Sequence, residues 1–264
     1  FSQNYQTNSD PKGTLLTSQS IIETGSIKLN NYKTDSMTWH LYEQDGNKYY
    51  AFPLGASISS IPIVWIANKV FLLDMNNEIH DKILQKVISS ILAVGIFFFL
   101  FKIASLYFEF NIALIISFLF WLGTSLSSTL VTALWNQNFS TLYSAVAIYI
   151  SLLIIHKNRD ELWPYLSIFL FMAYFSRPTL SLLSIGIVVF LFSNNKKLLS
   201  FKISILIFLF LGLFVFFSYM EYSQILPPYY MPKRLASETF LIALYGNLLS
   251  PSRGLFIFSP LTFL

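Results

Sequence analysis

Between residues 83 and 220 the chain carries six apolar runs, at about 83–106, 112–133, 139–155, 162–176, 179–193 and 200–220, and a further one opens near Gly254. A bilayer core about 30 Å thick needs roughly 20 apolar residues per helix, so this ladder predicts a polytopic α-helical membrane protein. Composition points the same way. Charged residues make up only 11% of the chain against 55% hydrophobic, less than half of the ~25% charge that a soluble domain uses to cover its surface. With no Cys in the chain, disulfides, thiolate metal sites and cysteine nucleophiles are excluded.

The punctuation between runs sets the topology. Arg177-Pro178 separates the fourth and fifth runs, and a Pro disfavours helix at the residue before it, which predicts a tight turn at the membrane surface. The run 56–73 is broken by Pro62, Asn68 and Lys69 and followed by Asp74, Glu78 and Asp81; it reads as an amphipathic interfacial helix with Trp65 as an anchor. Lys102, Lys157, Arg159, Lys196, Lys197 and Lys202 fall in alternate loops, which the positive-inside rule assigns to the cytoplasm. The expected organisation is an external loop over 1–55, an interfacial helix and connector over 56–82, a six-helix transmembrane region over 83–220, an external loop over 221–253 and the start of a further span at 254–264. Since that last run is cut at Leu264 and Phe1 opens directly into polar sequence, both ends are read as internal to a longer protein.

The formal charge of +4 does not imply a nucleic-acid partner, because the basic residues are scattered between spans rather than gathered on one face. Nor is a cofactor expected. There is no Gly-rich phosphate loop, no Ser-His-Asp ordering, no HExxH and no parallel-sheet pattern for a nucleotide. The acids and His40 between Asp35 and Asn47 fit no compact metal motif, and Asp45-Gly46-Asn47 reads instead as a turn between strands Trp39–Glu43 and Lys48–Phe52. Trp39, Tyr42, Tyr49 and Tyr50 are candidates to stack on a ring-shaped ligand, or ordinary interfacial aromatics.

Asp10 stands in Asn8-Ser9-Asp10-Pro11-Lys12-Gly13, ahead of a helical stretch 14–24 and Gly25. It is readable as a helix N-cap, or as a carboxylate held at the membrane surface as a general base. Arg177, taken by itself, is an interfacial Arg that reaches to lipid headgroups.

These residues carry a family resemblance. Asp10 fifteen residues before Gly25, then an aromatic polar stretch, then Phe52-Pro53-Leu54-Gly55 opening an apolar helix, resembles the first external loop of polyprenyl-phosphate-sugar-dependent GT-C glycosyltransferases. These include the protein O-mannosyltransferases and the lipid A aminoarabinose transferase. Phe175-Ser176-Arg177-Pro178-Thr179 is similar to the family's basic turn, and Leu249-Ser250-Pro251-Ser252-Arg253-Gly254 to a segment common in its bacterial members. The sequence departs from the pattern at Leu134-Trp135-Asn136-Gln137-Asn138, where many members hold a second acid, and at Gly13 and Ala51, where lipid A-type members hold Arg and Lys.

The resemblance implies a hexosyl or pentosyl glycosyltransferase that moves a sugar, with inversion, from a polyprenyl-phosphate donor lying among membrane lipids to a glycan, lipid or protein acceptor. Asp10 would be the catalytic base. Arg177, Lys12 and Arg253 would hold the donor phosphate, and Trp39, His40, Tyr49, Tyr50, Asn136 and Gln137 would contact sugar or acceptor. No metal is expected. The implied location is a bacterial inner membrane with the site outside the cytoplasm. The alternatives are a transporter or flippase for lipid-linked glycans, or a noncatalytic GT-C-like partner.

Overall fold

The computed structural model describes residues 10–34, 37, 40–231 and 240–250. Trp39, Arg253 and the run from Gly254 lie outside them. Among the described residues the chain forms α1 (Thr14–Thr24), a hairpin of β1 (Leu41–Gln44) and β2 (Asn47–Tyr50), α2 (Gly55–Val70), α3 (Glu78–Ala104), α4 (Phe110–Gly123), α5 (Leu126–Thr132), α6 (Asn136–Lys157), α7 (Trp163–Ser176), α8 (Ser181–Ser193), α9 (Lys197–Tyr222) and α10 (Phe240–Leu249).

The helix expected over 14–24 is α1, ending on Gly25 in the left-handed region at φ 69°. The expected hairpin is present with tighter limits, Leu41 pairing with Tyr50 and Gln44 with Asn47. Asp45 and Gly46 both have positive φ, 50° and 73°, the requirement of a two-residue turn whose twist matches its strands. Hydroxyl and amide groups tie this lobe together: Ser18 donates to the Ser57 carbonyl at 2.6 Å, and Gln19 reaches Asp74 at 2.8 Å while accepting from the Met75 amide at 2.6 Å.

Three helices, α3, α6 and α9, are each long and apolar enough to cross a membrane, and α4 with α5 makes a fourth candidate. On α3 the outward residues Ile83, Val87, Ile91, Val94 and Phe98 are exposed while Leu84, Ile88, Leu92 and Ile96 are buried. Such a two-sided apolar helix suits a bundle wall that meets protein on one side and hydrocarbon on the other. The continuous span expected over 112–133 is corrected: it bends by 65° between Gly123 and Leu126. Thr124 is extended there (φ −121°, ψ 171°), and its hydroxyl bonds the Phe120 carbonyl at 2.8 Å. At 14 and 13 residues, α7 and α8 are about 20 Å long, shorter than a bilayer core.

The loops that follow α3, α6 and α8 lie together at one end of the bundle. Lys196 meets Asp160 at 2.8 Å and Asn158 at 3.1 Å, and the Tyr107 hydroxyl meets His156 at 2.9 Å. The N-terminal lobe sits at the opposite end, where Lys12 meets Glu78 at the start of α3 at 3.4 Å. One apolar core runs through the junction, joining Leu15, Leu29, Tyr50 and Leu54 of the lobe to Ile88, Phe139 and Phe175 of the bundle.

At that junction Gly55 lies against the last turn of α7. A Cβ at 55 would sit 2.3 Å from the Ser176 Oγ and 2.5 Å from its Cα, and backbone cannot yield as a side-chain tip can. Gly55→Ala is therefore expected to lower stability by about 1–3 kcal/mol as an overpacked contact and to lower activity with it. Thermal unfolding in detergent measures the first, and a melting temperature equal to wild type would contradict the tight junction.

Candidate active site

The α7–α8 turn begins at Ser176. Arg177 is extended (φ −153°, ψ 108°), as a residue before Pro prefers, and a short 3₁₀ turn, Pro178–Leu180, leads into α8. This turns the Arg177 side chain toward α6, where it donates to the Gln137 Oε1 at 2.5 Å. In the first turn of α6, Asn138 is wholly buried and its amide nitrogen donates to the Ala133 carbonyl at 2.9 Å. That bond closes the end of α5.

Asp10 reaches the same place from the lobe. It does not serve as the cap of α1: the capping position is Gly13, with φ 95° and no side-chain cap bond. Its backbone is clamped instead. The Asp10 carbonyl accepts from the Tyr50 hydroxyl and, at 3.4 Å, from Thr14, and these two hydroxyls lie 2.9 Å apart. Burial raises the Tyr50 hydroxyl above its usual range, so it stays protonated and donating at any physiological pH. Gly13 is the residue its backbone calls for: its φ is left-handed, which strains any side chain, and a Cβ would lie 2.5 Å from Met37 Cε and 3.0 Å from the Tyr50 ring, so that Met37 would have to shift.

A cavity of about 90 Å³ forms where these pieces meet, lined by Asp10, Asn136, Gln137, Ser176, Arg177 and Tyr229 among others. Four residues singled out in the sequence, Asp10, Asn136, Gln137 and Arg177, share its wall. Within it the Ser176 hydroxyl, 0% exposed, makes no hydrogen bond, and the Asn136 amide, 7% exposed, faces the Tyr50 hydroxyl. Buried polar groups are nearly always bonded, so the open Ser176 hydroxyl beside a carboxylate and a guanidinium is a wall position able to receive a polar atom. Tyr229 closes the cavity from the segment 226–231, its ring 5.8 Å from Phe52.

Other expectations are not met by this geometry. Lys12 lines a separate cavity of about 40 Å³ with Lys33 and Asp81, because its ammonium is drawn to Glu78. Tyr49 is buried against α9, its hydroxyl donating to the Glu221 carbonyl at 3.2 Å and its ring 5.0 Å from Tyr222. Tyr50 is buried as the clamp described above, and His40 is 2% exposed with its ring 6.2 Å from Phe52. These three rings belong to the lobe's packing and offer no face to a sugar. Trp39 and Arg253 lie outside the described residues. Ser176 was missed by sequence reasoning, although a Gly opening α2 is the sign of a close backbone approach.

A family model described as dolichyl-phosphate-mannose-protein mannosyltransferase matches residues 61–220, more than half of the chain. The chain belongs to this mannosyltransferase family of the GT-C superfamily. No curated protein and no solved structure matches it. The matched stretch of the mannosyltransferase family runs from α2 to α9 and contains Asn136, Gln137, Ser176 and Arg177, while Asp10 and the rest of the lobe precede it. Family membership makes the chain a membrane glycosyltransferase of the GT-C type, a class that uses a lipid-linked sugar donor and an acceptor.

The Tyr50 clamp has a measurable consequence. Tyr50→Phe is expected to cost about 1–2 kcal/mol by leaving a partly buried carbonyl short of a donor. Because the folded value of this hydroxyl lies above its ordinary 10.0, its contribution is complete below pH 10 and is lost as pH rises beyond it. The stability gap between wild type and variant should thus be constant from pH 6 to 9 and shrink above 10; a gap that grows there would refute the protonated clamp.

Proposed function

We propose that the chain transfers a sugar from a polyprenyl-phosphate donor to an acceptor hydroxyl at the cavity between Asp10 and Arg177. The observation that carries this reading is a carboxylate and a guanidinium, 167 residues apart in sequence, on one wall at the end of an apolar bundle. Arg177 holds the donor phosphate by charge-assisted hydrogen bonds, and its bond to Gln137 fixes the direction of the fork. Asp10 accepts the proton of the acceptor hydroxyl as its oxygen attacks the anomeric carbon. The bond from that carbon to the phosphate oxygen breaks, polyprenyl phosphate leaves with the electron pair, and the sugar is inverted. No nucleotide is required, since the donor is already membrane-bound.

A second cavity supports a lipid-linked donor. Between α7, α8 and α9 lies a mainly apolar space of about 340 Å³ bounded by Phe171, Tyr174, Ile185 and Phe208, less than two turns from Arg177 along α7. A polyprenyl chain lying there would leave its phosphate at the Arg177 turn. In this reading six spans cross the membrane, α2 lies in the interface, and the site faces outside the cytoplasm of a bacterial inner membrane.

Asp10→Asn in the complete protein should keep its folded yield and lose roughly 100- to 10,000-fold in transfer, the usual contribution of a general base. Arg177→Ala should weaken binding of the polyprenyl-phosphate sugar at unchanged yield. Near-normal transfer by the first variant would reduce Asp10 to a structural residue, and unchanged affinity in the second would make Arg177 a headgroup anchor. Sidedness is testable on a chain without native Cys. An impermeant thiol reagent added outside intact cells should label Asp45→Cys and spare Lys157→Cys; the reverse pattern would invert the topology.

A further inference from the structure

At the end of the bundle away from Asp10, a cavity of about 400 Å³ lies where the turn between α8 and α9 meets the start of α7. The 22 residues of α6, about 33 Å of helix, separate this end from Asn136 and the candidate active site. Lys196, Lys197 and Lys202 line the cavity together with Asp160, Glu161 and Trp163. None of them has a part in the transfer reaction.

The charges on this wall do not cancel. Lys196 is committed to Asp160 at 2.8 Å and Arg159 to Glu161, so both acids are already paired. Lys197 faces the Phe192 ring at 5.5 Å, and neither it nor Lys202 makes an ion pair among the described residues. Two ammonium groups therefore share one concave surface without a counter-charge. The surface beside them is apolar. Lys202 stands on α9 in the row Leu198, Lys202, Ile205 and Leu209, whose spacing places all four on one face of the helix, and its three apolar members are exposed. Trp163 stands at the first turn of α7, the depth at which an amphipathic ring lies among lipid headgroups. A lysine so placed keeps its stem against the apolar row and its charge at the cavity.

We propose that this cavity binds an anionic phospholipid, whose phosphate meets Lys197 and Lys202 and whose acyl chains lie along Ile205 and Leu209. A headgroup that carries its own cation is disfavoured, because the two carboxylates that could receive that cation are held by Lys196 and Arg159. Free inorganic phosphate shares the chemistry of the head but leaves the apolar row unused, which is why the lipid is the occupant. A lipid seated here ties the turn between α8 and α9 to the membrane surface at the end remote from Asp10. The inference is independent of the sugar-transfer reading.

The test is thermal unfolding of the complete protein in a neutral detergent, titrated with short-chain phosphatidylglycerol, with phosphatidylcholine of the same chains, or with inorganic phosphate. A ligand that binds the folded state raises the melting temperature with its concentration, which yields its affinity. Phosphatidylglycerol should bind about 25-fold more tightly than phosphatidylcholine, about fivefold for each lysine, and Lys197→Gln with Lys202→Gln should bring the two lipids to equal affinity. Lys157→Gln removes a charge at the same end but off the cavity wall, and should leave the preference as in wild type. An equal loss in that variant would reduce the effect to diffuse charge and overturn the site. Equal binding of the two lipids by wild type overturns it as well, and so does inorganic phosphate that matches phosphatidylglycerol, since the ligand is then a free anion. If Arg177→Ala abolishes the preference while the lysine pair retains it, the lipid sits at the other end of the bundle and the proposal fails. Should the double variant not fold, Lys202→Gln alone carries the same comparison at about fivefold.

Discussion

The arrangement depends on the contact between Gly55 and the backbone of Ser176. With no side chain at 55, the first turn of α2 rests directly on the last turn of α7, and α2 in turn carries α1 through the Ser18–Ser57 bond. Hence the lobe that holds Asp10 and the turn that holds Arg177 are fixed by one short stack of backbone rather than by long, soft side chains. Chemistry of transfer rewards this. A displacement of an ångström between reacting groups can cost about 100-fold in rate, so a rigid junction is worth more to the site than the apolar area it buries.

Polar groups around the cavity divide into those satisfied and those left open. The Asp10 carbonyl, the Asn138 amide nitrogen and Arg177 are each held by named partners, which fixes the frame. The Ser176 hydroxyl and the Asn138 amide oxygen are buried and open. An unsatisfied buried group costs about 1–3 kcal/mol in the empty protein, and a ligand that bonds to it recovers that energy on binding.

Much of the fold could be read directly from the chain because membrane constraints are coarse. Apolar runs located α3, α6 and α9, Gly25 and Asp45-Gly46 located a helix end and a hairpin, and Arg177-Pro178 located a turn. Less could be read of what depends on tertiary packing. The bend at Gly123-Thr124-Ser125 lies within a run whose hydropathy is continuous, and three exposed-looking aromatics, His40, Tyr49 and Tyr50, are buried because the lobe docks on α9 and α3. Lys12 went to Glu78, a partner 66 residues away. Of the site, Asp10 stood out by its place before Pro11 and fifteen residues ahead of Gly25 in a polar stretch, Arg177 by its charge between two apolar runs, and Asn136 and Gln137 by their place at the head of a span. Ser176 did not, since a Ser inside a helix is ordinarily silent.

The departure from the family pattern at Asn136-Gln137 acquires a physical sense from this geometry. An acid at 137 would sit within ion-pair distance of the Arg177 guanidinium and neutralise it, competing with a phosphate for the same fork. Gln137 orients the guanidinium through its oxygen and leaves the full positive charge for an anion. The substitution of an amide for an acid therefore leaves Arg177 held by a neutral partner rather than by a carboxylate.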